Sequence, residues 1–330
     1  MKEIRLGTIG SGFIVHNILD NVQKTEGVSL TAVYSRSEEK GRALAEKYGA
    51  DKVYTDLDAF LSDEEVNVVY IATPNTLHYA QAKKALMAGK HVILEKPFCT
   101  RADHARELVE LAKEKHLFLV DATPTAYLPN LAVLKRELPK IGKIRLVMTN
   151  YSQYSSRYDQ LLRGEVPNNF NPQFAGGCLM DINYYNVQLN VSLFGKPASA
   201  VYYPNIHENG IDTSGVMVMQ YDGFVSQNAG AKDTWGVNFI QIEGEQGYIY
   251  VPNGVSGMEE IRVVTRHSDE VFNEQSDPDR WSYEVRDVTA LLLEENYDAV
   301  YARLDSMLDV ITTLEDARKK AGIAFAGDED

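Results

Sequence analysis

Through the first 120 residues, short apolar runs alternate with segments whose apolar residues recur every three or four positions, and few folds accept that alternation. The runs at 4–9, 31–34, 66–72, 91–94 and 117–121 read as buried strands, while 38–48, 77–88 and 102–115 carry the helical period. Strand and helix in turn specify a parallel, doubly wound α/β sheet. Ligands of such sheets sit outside the carboxyl ends of the strands, so the residues just past each run form the candidate site.

The first run leads through Gly10-Ser11-Gly12 into a helical segment that Phe13 and Ile14 open. Gly10 suits a tight turn, and Gly12 lets the backbone approach a pyrophosphate resting on the amides of that helix. Val15 stands where a third glycine would complete the dinucleotide fingerprint. The second run ends in Ser35-Arg36-Ser37 and offers no acid to grip ribose hydroxyls. A guanidinium with hydroxyl neighbours suits a 2′-phosphate instead, which favours NADP over NAD. Arg36 as a solvent-facing residue at a helix start is the other reading.

Beyond residue 121 the texture changes. Pro124 and Pro129 break the chain, and longer strand-like runs follow at 144–151, 198–203, 216–221 and 239–251, the last folding back as a hairpin through Gly244 and Gly247. A helix is expected over 296–320. The chain therefore divides into a dinucleotide-binding Rossmann domain, 1–121, and an α+β domain, 122–330, with a large, mainly antiparallel sheet.

The run at 91–94 ends in Glu95-Lys96-Pro97. Proline gives no donor to a sheet ladder and forces the residue before it to be extended, so Lys96 is presented at the ligand edge with Glu95 beside it. An idle, solvated lysine is the plain alternative. Thr73-Pro74-Asn75 follows the third run in the same way, with His78 either reaching a ribose or substrate hydroxyl or serving as an ordinary residue of the next helix's first turn.

In Gly176-Gly177-Cys178-Leu179-Met180-Asp181-Ile182-Asn183-Tyr184-Tyr185, two glycines precede a helix expected to start near Asp181. Residues four apart share a helix face, so Asp181 and Tyr185 point into one space and Tyr184 points elsewhere. A phenol of ordinary pKa, about 10, is a poor acid–base group at neutral pH, and an adjacent ammonium lowers it. Tyr185 as a core aromatic with a satisfied hydroxyl is the alternative. Tyr154 and Arg157, in the loop after the run at 144–151, are candidates for substrate contact or simply solvated loop residues.

Four segments together resemble the Gfo/Idh/MocA family of NAD(P)-dependent oxidoreductases: the glycine turn from Gly7 to Ile14, Ile71-Ala72-Thr73-Pro74-Asn75-Thr76-Leu77-His78, Glu95-Lys96-Pro97, and the Gly176-Gly177…Asp181 element. The resemblance runs over nearly the whole chain. It implies that Thr73 and Asn75 line the nicotinamide end and that Lys96 and Tyr185 are the catalytic pair. Tyrosine where many members carry histidine is similar to the branch of glucose-fructose oxidoreductase and the dimeric dihydrodiol dehydrogenases. The family's open sheet implies a homodimer or homotetramer. Asn183 stands where glycine is usual, a departure that bears on helix packing or nicotinamide clearance, and Ala126 where arginine is frequent, so the substrate is not fixed by resemblance.

Composition narrows the function further. With 33 basic and 47 acidic residues the net charge is −14, which repels a phosphate backbone and argues against nucleic acid as a partner. The two cysteines, Cys99 and Cys178, are far apart, and the histidines show no ligand spacing, so neither a disulfide framework nor a metal site is expected. No export signal or long apolar run is seen, which leads to the expectation of a cytoplasmic protein without membrane contact. The expected activity is hydride transfer between a nicotinamide and a hydroxyl or carbonyl carbon of a polyhydroxylated molecule: a sugar, cyclitol or dihydrodiol. A lyase or hydrolase recycling a retained NAD, and a nucleotide-sensing regulator, are the alternatives.

Overall fold

A computed structural model describes residues 1–328. The chain packs as two compact units, Met1–Pro124 with Trp281–Leu308, and Thr125–Arg280 with the chain from Asp309 on.

Six parallel strands organise the first unit: β1 (Ile4–Ile9), β2 (Val28–Tyr34), β3 (Lys52–Tyr54), β4 (Val68–Ile71), β5 (His91–Glu95) and β6 (Leu119–Ala122). They lie in the order β3-β2-β1-β4-β5-β6, so the direction of winding reverses between β1 and β4. Helices α1 (Phe13–Val22), α2 (Glu38–Tyr48), α3 (Leu57–Leu61), α4 (His78–Met87) and α5 (Ala102–Glu114) connect them. Every residue of β4 is buried, as a central parallel strand covered on both faces requires. The expected strands and helices are present, and β3 with α3 adds a short pair that left no pattern in three residues.

In the second unit, α6 (Pro129–Glu137), β7 (Ile144–Ser152), α7 (Tyr158–Leu162) and α8 (Tyr184–Phe194) precede seven further strands. These are β8 (Ser199–Ile206), β9 (Asp212–Tyr221), β10 (Phe224–Ala231), β11 (Phe239–Gly244), β12 (Gly247–Pro252), β13 (Ile261–Thr265) and β14 (Asp269–Phe272). The eight-stranded sheet runs β14-β13-β12-β11-β7-β10-β9-β8 and is antiparallel except where β10 pairs with β7. The β11–β12 hairpin closes with Gly244 opposite Gly247, as expected. Met217, Met219, Ile240, Ile242, Ile249 and Val251 are buried on one face, while Val201, Tyr203, Tyr248 and Val271 stay exposed. A polar seam fixes α8 to the sheet: Asn186 Nδ2 donates to the Ala229 carbonyl at 2.8 Å and Asn190 Nδ2 to Asn228 Oδ1 at 2.8 Å.

The remaining helices, α9 (Arg280–Leu293) and α10 (Tyr297–Lys320), correct the expected single boundary at 121, because residues 281–308 pack with the first unit. The cause is the uncovered apolar side of its sheet. Val285 and Val288 of α9 close over Ile4, Leu6, Val28 and Ile93 around a small cavity, and Tyr297 stacks on Phe118 at 3.9 Å. An amphipathic helix carries no label for the unit it will cover, so sequence texture could not reveal the return.

Candidate active site

The carboxyl edge of the first sheet gathers the residues expected around a dinucleotide. Gly10 follows β1 with φ +122°, and a Cβ there would stand 2.5 Å from the Ala72 carbonyl oxygen just past β4. The turn therefore needs glycine to let two strand ends close up. Gly12 is different: nothing lies within 4 Å of its would-be Cβ, and no side chain caps the start of α1. No acid stands in the first turn and no side chain hydrogen-bonds the helix entrance, whose first amides and positive dipole end suit a phosphate. Phe13 stands 75% exposed there and Ile14 is half-buried, whereas Val15 is fully buried in place of the third glycine.

Past β2, Ser35 is buried and Arg36 exposed, with no carboxylate at the strand end. Ser37 caps α2 by accepting from the Lys40 amide. Past β4, Thr73 Oγ1 donates to Gln81 Oε1 at 2.6 Å and Asn75 opens a short 3₁₀ turn.

Two expectations at this edge change. Glu95 does not project outward: it is 6% exposed, accepting from the Tyr70 hydroxyl at 2.7 Å and from the Lys96 amide at 3.1 Å, so it fastens the end of β5. His78 is 1% exposed, with Nδ1 2.9 Å from the Pro97 carbonyl oxygen and Nε2 2.9 Å from that of Thr73. Its ring sits between two ligand-edge loops instead of offering a nitrogen to a hydroxyl; burial pushes its pKa down, so the neutral ring donates its single N–H to one of the two carbonyls. Lys96, half-buried, follows Glu95 directly, and its peptide bond to Pro97 is cis.

In the second unit the helix carrying Tyr185 starts earlier than expected, with a wide π turn over Leu179–Asn183 before α8. Such turns are rare and favour functional sites. Asp181 thus lies within the turn, and Tyr185 in the first turn of α8, 6% exposed and edge-on to Tyr151 at 5.8 Å between centroids. Tyr184 is wholly buried as well, its ring centroid 5.9 Å from that of Tyr185, and the π turn replaces the α-helical register that the spacing argument assumed between Asp181 and Tyr185. Gly177, at φ +105°, lets Asp212 pack against it, with a Cβ position only 2.1 Å from Asp212 Oδ1.

Sequence reasoning missed the partner of Asp181. Lys232, just past β10 and 2% exposed, brings Nζ to 2.8 Å from Asp181 Oδ2. The signal available was a lone lysine ending a strand of small and polar residues. Asp212, also unforeseen, accepts from the Leu179 amide at 2.6 Å and the Tyr202 hydroxyl at 2.7 Å, and burial raises its pKa. Of the loop candidates, Arg157 is exposed, while Tyr154 donates to Asp159 at 2.6 Å and stacks on Trp235, itself 80% exposed. Among the described residues no cluster of three or more His, Cys, Asp or Glu is placed to hold a metal, and no helix is long and apolar enough to cross a membrane.

Residues 4–122 match the model of an oxidoreductase family with an NAD-binding Rossmann fold, and residues 138–250 match the GFO/IDH/MocA C-terminal domain. The chain is 34% identical to the NADP(+)-dependent scyllo-inositol 2-dehydrogenase of Bacillus subtilis, over 99% of both chains. It is 26% identical to human trans-1,2-dihydrobenzene-1,2-diol dehydrogenase over 99% of this chain and 98% of that one. In fold it is similar to a 3-ketoreductase from Actinomadura kijaniata solved with NADP and TDP-benzene (TM-score 0.85, 20% identity, 98% of each chain). It is equally similar to an aldose-aldose oxidoreductase from Caulobacter crescentus (TM-score 0.84, 19% identity, 97% of this chain and 98% of that one). A glycine turn at the switch point, Lys96 past β5 and two family domains spanning most of the chain agree on one conclusion: the protein belongs to the Gfo/Idh/MocA family of oxidoreductases.

Proposed function

We propose that the protein is an NADP-dependent dehydrogenase or reductase acting at a CH–OH or carbonyl carbon of a sugar, cyclitol or dihydrodiol-like molecule, with Lys96 and Tyr185 managing the proton. The observation that carries the reading is 34% identity, over 99% of both chains, to an NADP(+)-dependent inositol dehydrogenase, joined to a β2 end that offers Ser35 and Arg36 and no acid. The open surface at Gly12 and the uncapped entrance to α1 fit a pyrophosphate. Bound NADP supplies the hydride acceptor or donor.

Arg36 holds the 2′-phosphate, and Ser35 the ribose beside it. Gly10, Gly12, Phe13 and Ile14 frame the pyrophosphate, and Thr73 and Asn75 the nicotinamide end. Glu95 and His78 brace that edge from beneath. Lys96 donates a hydrogen bond to the substrate oxygen and stabilises negative charge as it develops there. The Tyr185 phenol gives up or takes the proton that the alkoxide needs, and Asp181, one turn earlier, orients it. Exposed Trp235, stacked on half-buried Tyr154, offers a flat apolar face for the substrate's ring.

The exposed apolar side of the second sheet, with Val201, Tyr203, Tyr248 and Val271, supports a homodimer or homotetramer built on that face. Two free, buried cysteines are in keeping with a cytoplasmic location. The test is a matched titration with NADPH and NADH by nicotinamide fluorescence, followed by a panel of inositols, aldoses and dihydrodiols. Tight NADPH binding with turnover of a panel member supports the reading. Nucleotide retained through turnover and released only on denaturation would move the protein to a recycling lyase or hydrolase.

A further inference from the structure

The last residue before the loop that leaves β10 is a lysine with nowhere to go but inward. Its backbone is held on both sides, the Lys232 amide donating to the Thr213 carbonyl at 2.8 Å and its own carbonyl accepting from the Ser155 amide at 2.9 Å. The side chain is 2% exposed. An unpaired ammonium in such a place is very unfavourable, so its partners define its role. Nζ lies 2.8 Å from Asp181 Oδ2, donates to the Asn169 carbonyl at 2.9 Å, and sits 4.4 Å from the centre of the Phe170 ring.

Two other carboxylates lie close enough to feel this lysine's charge, but among the described residues neither forms an ion pair with it, and the buried Asp212 Oδ1 has no hydrogen-bond partner. Asp212 on β9 takes the Leu179 amide and the Tyr202 hydroxyl of β8, and Asp233 takes the hydroxyls of Thr213 at 2.6 Å and Ser214 at 3.0 Å. The Cys178 thiol, at the head of the π turn, feels the charges of Asp212, Lys232, Asp181 and Asp233, and burial pushes it up. Asp181 alone of these acids meets the ammonium from a side chain one-third exposed, so the pair runs from the interior out to the open side of the turn.

We propose that Lys232 is a positioning residue: its buried ammonium, anchored on the sheet, fixes Asp181 as an ionised carboxylate in the π turn that leads directly into the Tyr185 helix. The inference rests on the reading of Tyr185 as the proton-handling phenol. A π turn is a local departure from α-helical winding, and the ion pair from the end of β10 holds one of its side chains in place. Because the cation is buried and the anion is not, the link sets both the place and the charge state of Asp181.

Lys232→Met, Asp181→Asn and the double variant test this. In Lys232→Met, kcat falls about tenfold or more, while KM and the dissociation constant for NADPH stay within about twofold. The acid limb of the pH–rate profile moves up by about 1 to 3 units, as expected when an opposite charge leaves a carboxylate. The double variant costs little beyond Asp181→Asn, since the lysine acts through the aspartate. Additive losses with an unmoved acid limb would overturn the proposal. If Lys232→Met fails to fold, the double variant removes both charges, and its retained fold with the activity of Asp181→Asn supports the same role for the lysine. A readout free of turnover separates this from the functional reading. In protein labelled with ¹³C at aspartate carboxyls, the resonance lost in Asp181→Asn should titrate at higher pH in Lys232→Met, or Lys232→Gln where Met is not tolerated. An unmoved midpoint refutes the Lys232 role, whereas a moved midpoint in a protein inactive on every substrate refutes only the assignment of Tyr185.

Discussion

His78 Nδ1 lies 2.9 Å from the carbonyl oxygen of Pro97, so the start of α4 packs against the chain immediately past Lys96. The other ring nitrogen faces Thr73, and one buried imidazole thereby sits between the loops after β4 and β5. His78→Phe keeps a ring and removes the N–H donor. It is expected to cost about 1–3 kcal/mol in urea unfolding and to weaken NADPH binding at the same time, because a buried carbonyl loses its partner and the ligand-edge loops loosen. Unchanged stability with full binding would remove His78 from the framework.

The two glycines of the first turn should fail differently. At Gly10, φ is +122° and a methyl group would press on the Ala72 carbonyl oxygen, so Gly10→Ala is expected to lower thermal stability markedly. At Gly12, φ is −82° and the space is open, so Gly12→Ala should fold as the parent does and lose nucleotide affinity alone. Melting curves with and without NADPH distinguish the two: the Gly12 variant melts normally without ligand and gains less with it.

Arg36→Ala tests cofactor choice. A charge-assisted contact to a 2′-phosphate is worth about 1.5–3 kcal/mol, so the dissociation constant for NADPH should rise about 10- to 150-fold while that for NADH stays put. Equal effects on both nucleotides would reassign Arg36 to a solvent role.

Lys96→Met and Tyr185→Phe should each lower kcat about 10²- to 10⁴-fold at full nucleotide occupancy, the usual range for a positioned acid–base group. Nicotinamide fluorescence should show binding intact in Tyr185→Phe. Retained turnover in both variants would end the catalytic assignment.

Acid should destabilise the first unit before its carboxylates titrate. Burial holds His91 down at about 4 from its ordinary 6.5, and its Nδ1 accepts from the Phe118 amide at 2.9 Å. The unfolded chain then binds a proton the folded one refuses, so this contribution is complete above pH 6.5 and is lost as the pH falls toward 4. The loss reaches about 3 kcal/mol over that span, with His78 acting in the same direction. Urea unfolding at pH 7 and pH 4.5 measures it, and His91→Gln, which still accepts from Phe118, should flatten the slope.

Legibility followed the reach of each interaction along the chain. The glycine turn, the strand ends at Ser35, Thr73 and Lys96, and helix α2 over Glu38–Tyr48 could be read in sequence because their determinants are local: φ at Gly10, apolar period, a serine cap. What escaped depends on distant partners. Lys232 meets Asp181 across fifty-one positions, and Tyr70 draws Glu95 inward across twenty-five. The π turn escaped because one residue of extra winding leaves the pattern of Leu179, Met180 and Ile182 looking α-helical.

Helix α9 closes over β1 although nearly three hundred residues separate them, and Met1 is itself clasped by the Leu292 and Leu293 carbonyls. During synthesis, Ile4 and Leu6 therefore wait bare on the emerging sheet until most of the chain has left the ribosome. The unit begun first is thus closed only by residues 281–308, so its apolar sheet face stays open while most of the other unit is being made.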